Sequence, residues 1–310
     1  MLDVRRMRVL REVSAQGSFS GAADALYLSQ SAVSQHIAAL EKEVGQKLVE
    51  RTRGAPRLTQ AGEVLVAHSD AVLARLDEAE RELDAIAGMR GGRLRLASFP
   101  TASATLVTSA ISEFNQRYPD VRLEFREAEP EESLPLLKQG ALDLALVYDF
   151  PTVTEAQDRD VERHLLLEER MWLALPKDHP LASRPAVEPC DLAEDQWLCG
   201  ASPGSCRENV ILACQSGGFE PRISFETDDY QVMQALIAAG LGVTLLPDLA
   251  LTSPHPGIAI VPVKGQTPTR RVRAATLAEG SRSPAADAML DILRDVGDQY
   301  AAQAAEVVAA

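Results

Sequence analysis

Along the N-terminal stretch the apolar positions repeat at helical spacing in short runs. Met7, Leu10 and Val13 mark one helix face, and the run stops at Gln16-Gly17. Ser18-Phe19-Ser20 supplies a cap for a second helix of small residues, Ala22, Ala23 and Ala25 with Leu26, which another helix can cross closely. Leu26-Tyr27-Leu28-Ser29 reads as a turn, and Ser29 caps a third helix. There Val33, Ile37, Leu40 and Val44 form one apolar stripe, and Gly45 ends it. Arg51-Thr52-Arg53-Gly54-Ala55-Pro56-Arg57 then reads as a tight basic hairpin. This order predicts an all-α winged helix-turn-helix head over residues 1–58.

No proline interrupts Thr59 to Met89, which predicts one long helix over residues 59–90. Leu65, Val72, Ala79 and Ile86 stand seven apart, and Ser69, Leu76 and Leu83 form a second set. That is a heptad seam, the pattern of a helix that pairs with a second copy. Packing against its own body would satisfy the same pattern. Gly88 and Gly91-Gly92 close the helix, and a new domain starts near residue 91.

Beyond this point strand and helix patterns alternate. Arg93–Ala97 reads as a strand, and Phe99-Pro100-Thr101 turns into a helix through Phe114. Val121–Phe125 and Leu142–Tyr148 are further strands around a helical Leu134–Gln139. Met171–Pro176, Gln196–Leu198, Ile223–Thr227 and Gly242–Leu246 continue the series, with helices at Arg207–Ser216 and Tyr230–Ala239. Such alternation predicts a mostly parallel α/β sheet.

The net charge of −14 speaks against nucleic acid until its distribution is considered. Residues 1–58 hold nine Lys/Arg against six Asp/Glu, a net +3, whereas residues 59–90 carry −4 and the remainder −13. A basic head on an acidic body suits DNA contact at one end only. The opposite face of the third helix carries short polar side chains, which reach base edges or phosphates without clashing in the major groove. Ser29, Gln30, Ser31, Ser34 and Gln35 are therefore the candidate contacts of that helix, and Arg51, Arg53 and Arg57 those of the hairpin. No apolar run is long enough to cross a membrane and the N-terminus lacks a signal-peptide pattern, so a cytoplasmic protein is expected. Cys190, Cys199, Cys206 and Cys214 fit no zinc spacing, and no metal or other cofactor is expected.

The run Gly17-Ser18-Phe19-Ser20-Gly21-Ala22-Ala23, then Leu28-Ser29-Gln30-Ser31-Ala32-Val33-Ser34-Gln35-His36-Ile37, Leu40-Glu41, Gly45, Leu48-Val49-Glu50-Arg51 and Leu58-Thr59-Gln60-Ala61-Gly62 closely resembles the LysR-type transcriptional regulators. The resemblance implies a sequence-specific DNA-binding regulator rather than an enzyme. It also implies dimers through the long helix, tetramers as dimers of dimers, an inverted-repeat operator, and RNA polymerase as a further partner. The body, residues 91–305, would fold as two α/β subdomains like a type 2 periplasmic binding protein. Subdomain I would span 91–163 and 268–305, and subdomain II 164–267. A small-molecule effector would bind between them.

Ser98, Thr101 and Ser103 lie where a strand gives way to a helix N-terminus, a place that favours an anion. By position in the family pattern, Glu129, Asp149, Ser202, Thr227 and Asp228 join them as candidate effector contacts. Each is also a residue type that caps helices and turns. Glu129, Asp149 and Asp228 together would form an acidic rim suited to an amine.

Other classes leave weaker traces. Gly200-Ala201-Ser202-Pro203-Gly204 matches a hydrolase nucleophile elbow, but Pro203 has no backbone N–H to offer an oxyanion. A solute-binding protein would lack the basic head and carry an export signal. Cys206 and Cys214 resemble in place the redox pair of peroxide-sensing members of the family, at a spacing one residue shorter, which makes redox sensing the alternative.

Overall fold

The computed structural model describes residues 2–50, 55–87, 91–153, 158–201, 204–265, 268–278 and 282–309. Arg51, Arg53 and Ser202 lie outside the described residues, as does the side chain of Ile86. The chain divides into two compact units, Met1–Leu83 and Asp84–Ala310.

The first unit contains α1 (Val4–Gln16), α2 (Phe19–Ala25), α3 (Gln30–Val44), the two-stranded hairpin β1 (Val49–Glu50) and β2 (Arg57–Leu58), and most of α4 (Gln60–Ala87). Asp3, Ser18 and Ser29 cap the first three helices by accepting backbone N–H groups. Gly45 ends α3 at φ 75°, a left-handed conformation that side chains resist. Leu10, Val33, Ile37, Leu40, Leu48 and Leu65 belong to one buried cluster. Glu41 is buried inside this unit, where it accepts hydrogen bonds from Leu48 N (3.0 Å), Val49 N (3.3 Å) and Lys47 Nζ (2.7 Å). It thereby fastens β1 to α3. Burial pushes its carboxyl up, but Lys47 and the two amides outweigh burial and hold it below the usual range. Gly62 lies so close to β1 that a Cβ would overlap the Leu48 carbonyl oxygen.

α4 has 28 residues and is about 42 Å long. Leu65, assigned to the seam, packs instead in the head core because the first turns of α4 close that core. Ser69 is buried too and donates its hydroxyl to Leu65 O at 2.6 Å. The apolar residues of the pattern that remain exposed are Val72, Leu76, Ala79 and Leu83.

The second unit opens with β3 (Arg93–Ser98) and a continuous helical run, α5 (Pro100–Ala102), a π-helical turn at Ser103–Val107 and α6 (Thr108–Arg117). β4 (Arg122–Glu127), α7 (Pro130–Lys138), β5 (Leu144–Asp149) and the long β6 (Val161–Pro176) follow. The second half contains β7 (Gln196–Cys199), α8 (Ser205–Ser216), β8 (Arg222–Glu226), α9 (Tyr230–Ala238), β9 (Thr244–Pro247) and β10 (Ile258–Val261). β11 (Thr269–Leu277) returns to the first half, and α10 (Pro284–Ala309) completes it.

The main sheet has the order β10-β6-β11-β5-β3-β4, with β9 on β6, and β7–β8 form a separate parallel pair. It is mixed rather than mostly parallel. β3 runs parallel to β4 and β5, but β11 is antiparallel to both β5 and β6, and β6 is antiparallel to β9 and β10. The reason is connectivity: β6 carries the chain out of one subdomain and β11 brings it back, so the two must oppose each other. The sequence pattern starts β6 only at Met171 because Glu162, Arg163, His164, Glu168 and Glu169 interrupt the apolar run. The sequence pattern marks none of β10, β11 and α10. In subdomain I both sheet faces are covered. Leu94, Leu96, Leu144 and Leu146 share a cluster with Leu106, Phe114 and Met289, while Ala97, Ala145 and Val147 pack with Leu137 on the other face.

Glu41→Ala is expected to destabilise the protein by about 2 kcal/mol, because two buried amides lose their acceptor. Urea unfolding followed by circular dichroism measures this; unchanged stability would mean the carboxylate does not hold the hairpin.

Candidate functional site

In the head, Ser29 Oγ accepts from Ala32 N at 3.2 Å and pairs with Ser31 Oγ at 2.9 Å. Gln30, Ser31 and Gln35 are exposed, Ser34 is half-buried, and Arg57 is exposed on β2. Capping and presentation therefore fall to different residues of one helix. Tyr27, in the turn before it, takes φ 54° and is 97% exposed, a protrusion that hydropathy patterning did not single out.

In the second unit, the ends of β3, β5 and β11 converge with the starts of α8 and α9 on a pocket. Phe99, Thr101, Glu129, Tyr148, Cys206, Asp228, Tyr230 and Arg270 line it. Thr101, Glu129, Asp228 and Tyr230 also border a wider recess that is open to solvent.

Arg270 is the central group. Its side chain is 1% exposed. Nε donates to Glu169 Oε1 at 2.7 Å and Nη2 to Thr101 Oγ1 at 3.0 Å, while the guanidinium lies 5.1 Å from the ring centres of both Phe99 and Tyr148. Burial opposes its charge, but Glu169 outweighs that and keeps it protonated. Nη1 makes no hydrogen bond among the described residues.

Glu129 accepts from Tyr148 Oη on Oε2 at 3.0 Å. Its carboxyl is pushed up to about 7, by burial first and by the nearby Glu131 charge, against the pull of Tyr148 and Arg270. Asp228 is held at the rim by Ala201 N, which donates to Oδ1 at 2.9 Å. Cys206 Sγ lies 2.9 Å from Tyr230 Oη, and burial pushes its thiol up to about 11.

Of the expected effector residues, then, Thr101, Glu129 and Asp228 come together at the pocket. Ser98 and Ser103 do not line it. Ser98 Oγ donates to Phe99 O, and Ser103 Oγ to Ser98 O and Phe99 O, so both hydroxyls brace the strand-to-helix junction. Asp149 is nearly buried between Arg271 Nε at 2.6 Å and Arg273 Nε at 2.5 Å, neighbours on the adjacent strand, so it forms no part of an acidic rim. Thr227 Oγ1 accepts from Asp229 N at 3.2 Å, a turn contact. Arg270, Tyr148 and Tyr230 also line the pocket, and the sequence pattern does not single them out. In Arg270-Arg271-Val272-Arg273 no spacing tells which arginine faces inward until the register of β11 is known.

Cys206 and Cys214 both sit on α8, about 12 Å apart along its axis. Burial pushes the Cys214 thiol up to about 12. His255 Nδ1 accepts from Gly257 N at 3.1 Å within its own turn. Among the described residues no group of metal-ligating side chains is assembled, and no helix is long and apolar enough to cross a membrane.

A carboxyl raised in the folded state lowers stability as pH rises from its unfolded value near 4.5 to about 7, since the folded protein holds the proton that the unfolded chain has released. Glu129→Gln removes that penalty. Its melting temperature is expected to exceed that of the parent by a few degrees at pH 8 and to match it near pH 5. Scanning calorimetry at both pH values checks this, and an equal shift at both would refute it.

Two family models match: residues 4–63 fit the bacterial regulatory helix-turn-helix protein, lysR family, and residues 87–298 fit the LysR substrate binding domain. The chain is 32% identical over 298 residues to the HTH-type transcriptional regulator ShiR of Corynebacterium glutamicum, covering 95% of this chain and 99% of that one. It is 30% identical over 265 residues to the transcriptional dual regulator GltC of Bacillus subtilis, covering 85% and 87%. Among solved structures, full-length OxyR C199D from Pseudomonas aeruginosa aligns with a TM-score of 0.69 at 25% identity, covering 95% of each chain. The two matched modules, in this order and over nearly the whole chain, place this protein in the LysR family of DNA-binding transcription regulators with an effector-binding domain.

Proposed function

We propose that this regulator binds an inverted-repeat operator as a dimer, assembling further into a tetramer, and that a small molecule in the Arg270 pocket sets its activity. The observation that carries this reading is the pocket itself, where a buried cation, Thr101, Glu129 and Asp228 meet between the two halves of the body. The organisation proposed is a head at 1–58, a dimerisation helix at 59–90 and an effector domain at 91–305. Subdomain I comprises 91–163 and 268–305, and subdomain II comprises 164–267. Gln30, Ser31, Ser34 and Gln35 read bases or phosphates, and Ser29 orients them; Arg57, with Arg51 and Arg53, grips phosphate. The exposed stripe Val72, Leu76, Ala79 and Leu83 pairs with a second copy. Effector binding shifts the two halves of the body, and through body–body contacts the spacing of the heads and the fit to RNA polymerase at the promoter.

A redox reading is favoured by the OxyR likeness and by the place of Cys206 in the pocket. Its requirement for a thiolate runs against the raised thiol, and its disulfide would require α8 to unwind. Mass spectrometry after dilute peroxide separates the two: a Cys206–Cys214 disulfide would establish redox sensing, and its absence ends that reading.

Ser34→Ala with Gln35→Ala is expected to weaken specific operator binding by about tenfold or more while leaving the dimer intact. Arg57→Ala is expected to weaken binding to all sequences alike and to flatten the salt dependence by about one unit of slope. Footprinting on the protein's own promoter and titration at several salt concentrations measure both. Absence of protection on any promoter would overturn the DNA-binding roles.

A further inference from the structure

The charges around the pocket are of both signs. Arg270 spends Nε and Nη2 on Glu169 and Thr101, and Nη1 makes no hydrogen bond among the described residues. Across the pocket, Glu129 receives one donor, Tyr148 Oη on Oε2, and Oε1 accepts none among the described residues. Asp228 stands at the rim with one oxygen fixed by Ala201 N. A dianion would meet Glu129 and Asp228, and a simple amine would meet Arg270; either leaves a like charge unanswered in a poorly solvated place.

We propose that the effector is a zwitterionic α-amino acid, with its carboxylate on Arg270 and Thr101 and its ammonium on Glu129 and Asp228. This deepens the effector reading above and rests on it. Arginine presents a planar fork of donors suited to a carboxylate, and Thr101 Oγ1, which accepts from Arg270, still has its own proton to donate. Two carboxylates lining the same pocket, Glu129 and Asp228, match a single ammonium. The recess beyond, bordered by Ala104, Gln231, Leu249 and Thr252, receives the side chain of the amino acid.

Binding of this kind displaces a proton. The groups facing Glu129 are Tyr148 on β5, Glu131 on α7, Asp228 after β8 and Arg270 on β11, with Cys206 and Tyr230 across the pocket. Near pH 7 the Glu129 carboxyl is about half protonated, and a docked ammonium selects the carboxylate, so the proton passes to buffer. Affinity therefore rises with pH up to about 7 and then levels.

The full-length protein is titrated calorimetrically with each protein amino acid in turn, at pH 7, in two buffers of different ionisation enthalpy. At least one amino acid is expected to bind, releasing about half a proton per ligand. Its counterpart lacking the amine and its carboxamide are each expected to bind at least about tenfold more weakly. Glu129→Gln is expected to weaken the amino acid by a similar factor and abolish the proton release. Equal affinity for the amine-free acid, heats independent of buffer, or no binding by any amino acid at millimolar concentration would each overturn the proposal. Ala104→Trp, an exposed position, blocks the recess and distinguishes the two levels of failure. Amine-free acids that bind the parent but not this variant would overturn the amino acid and leave the effector pocket standing. Ligand binding that survives the variant would remove the pocket from the effector reading as well.

Discussion

The buried pair of Arg270 and Glu169 is the interaction on which the second unit turns. Its members sit on β11 and β6, the two strands that carry the chain between subdomains. Glu169 also accepts from Leu249 N at 2.7 Å, and Arg270 also holds Thr101 at the start of α5. One ion pair thus ties together the crossing strands, the first helix of subdomain I and the segment after β9. Taking both charges out of water is costly, and loss of either partner of such a pair typically costs about 3–5 kcal/mol because the other is left buried alone. The Phe99 and Tyr148 faces offset part of that cost. The group that joins the halves also lines the cavity between them, so a ligand bound there would act on the joint.

The head repeats this device in miniature. Glu41 is buried in a small helical core and is satisfied by the amides of Leu48 and Val49, which sets where the hairpin leaves α3. α4 then begins inside that core through Leu65 and continues with exposed apolar residues. A single helix serves two purposes along its length, first closing the domain and then carrying an apolar stripe that its own unit leaves exposed.

Polar residues near the site divide by whether their hydrogen bonds are already used. Ser98, Ser103, Thr227 and Asp149 are engaged with backbone or arginine partners, and they brace the surrounding turns and strands. Glu129 and Arg270 retain unspent capacity and both line the cavity. That distinction changes the chemistry of the pocket from an acidic rim to a site with both signs of charge.

The amino-acid sequence alone determined the head, its caps at Ser29 and Gly45, the uninterrupted helix after Thr59 and most strands and helices of the body to within a few residues. These features rest on local rules: apolar periodicity, side-chain capping and the absence of proline operate within a few residues of chain. The tertiary structure decided the mixed sheet, the long reach of β6, the diversion of Leu65 from the seam to the head core, and the identity of the site. Arg270 lies 101 residues from Glu169 and 169 from Thr101, and three arginines share its stretch of β11. Which of them turns inward depends on strand register and on partners brought from distant segments, and no local pattern encodes that.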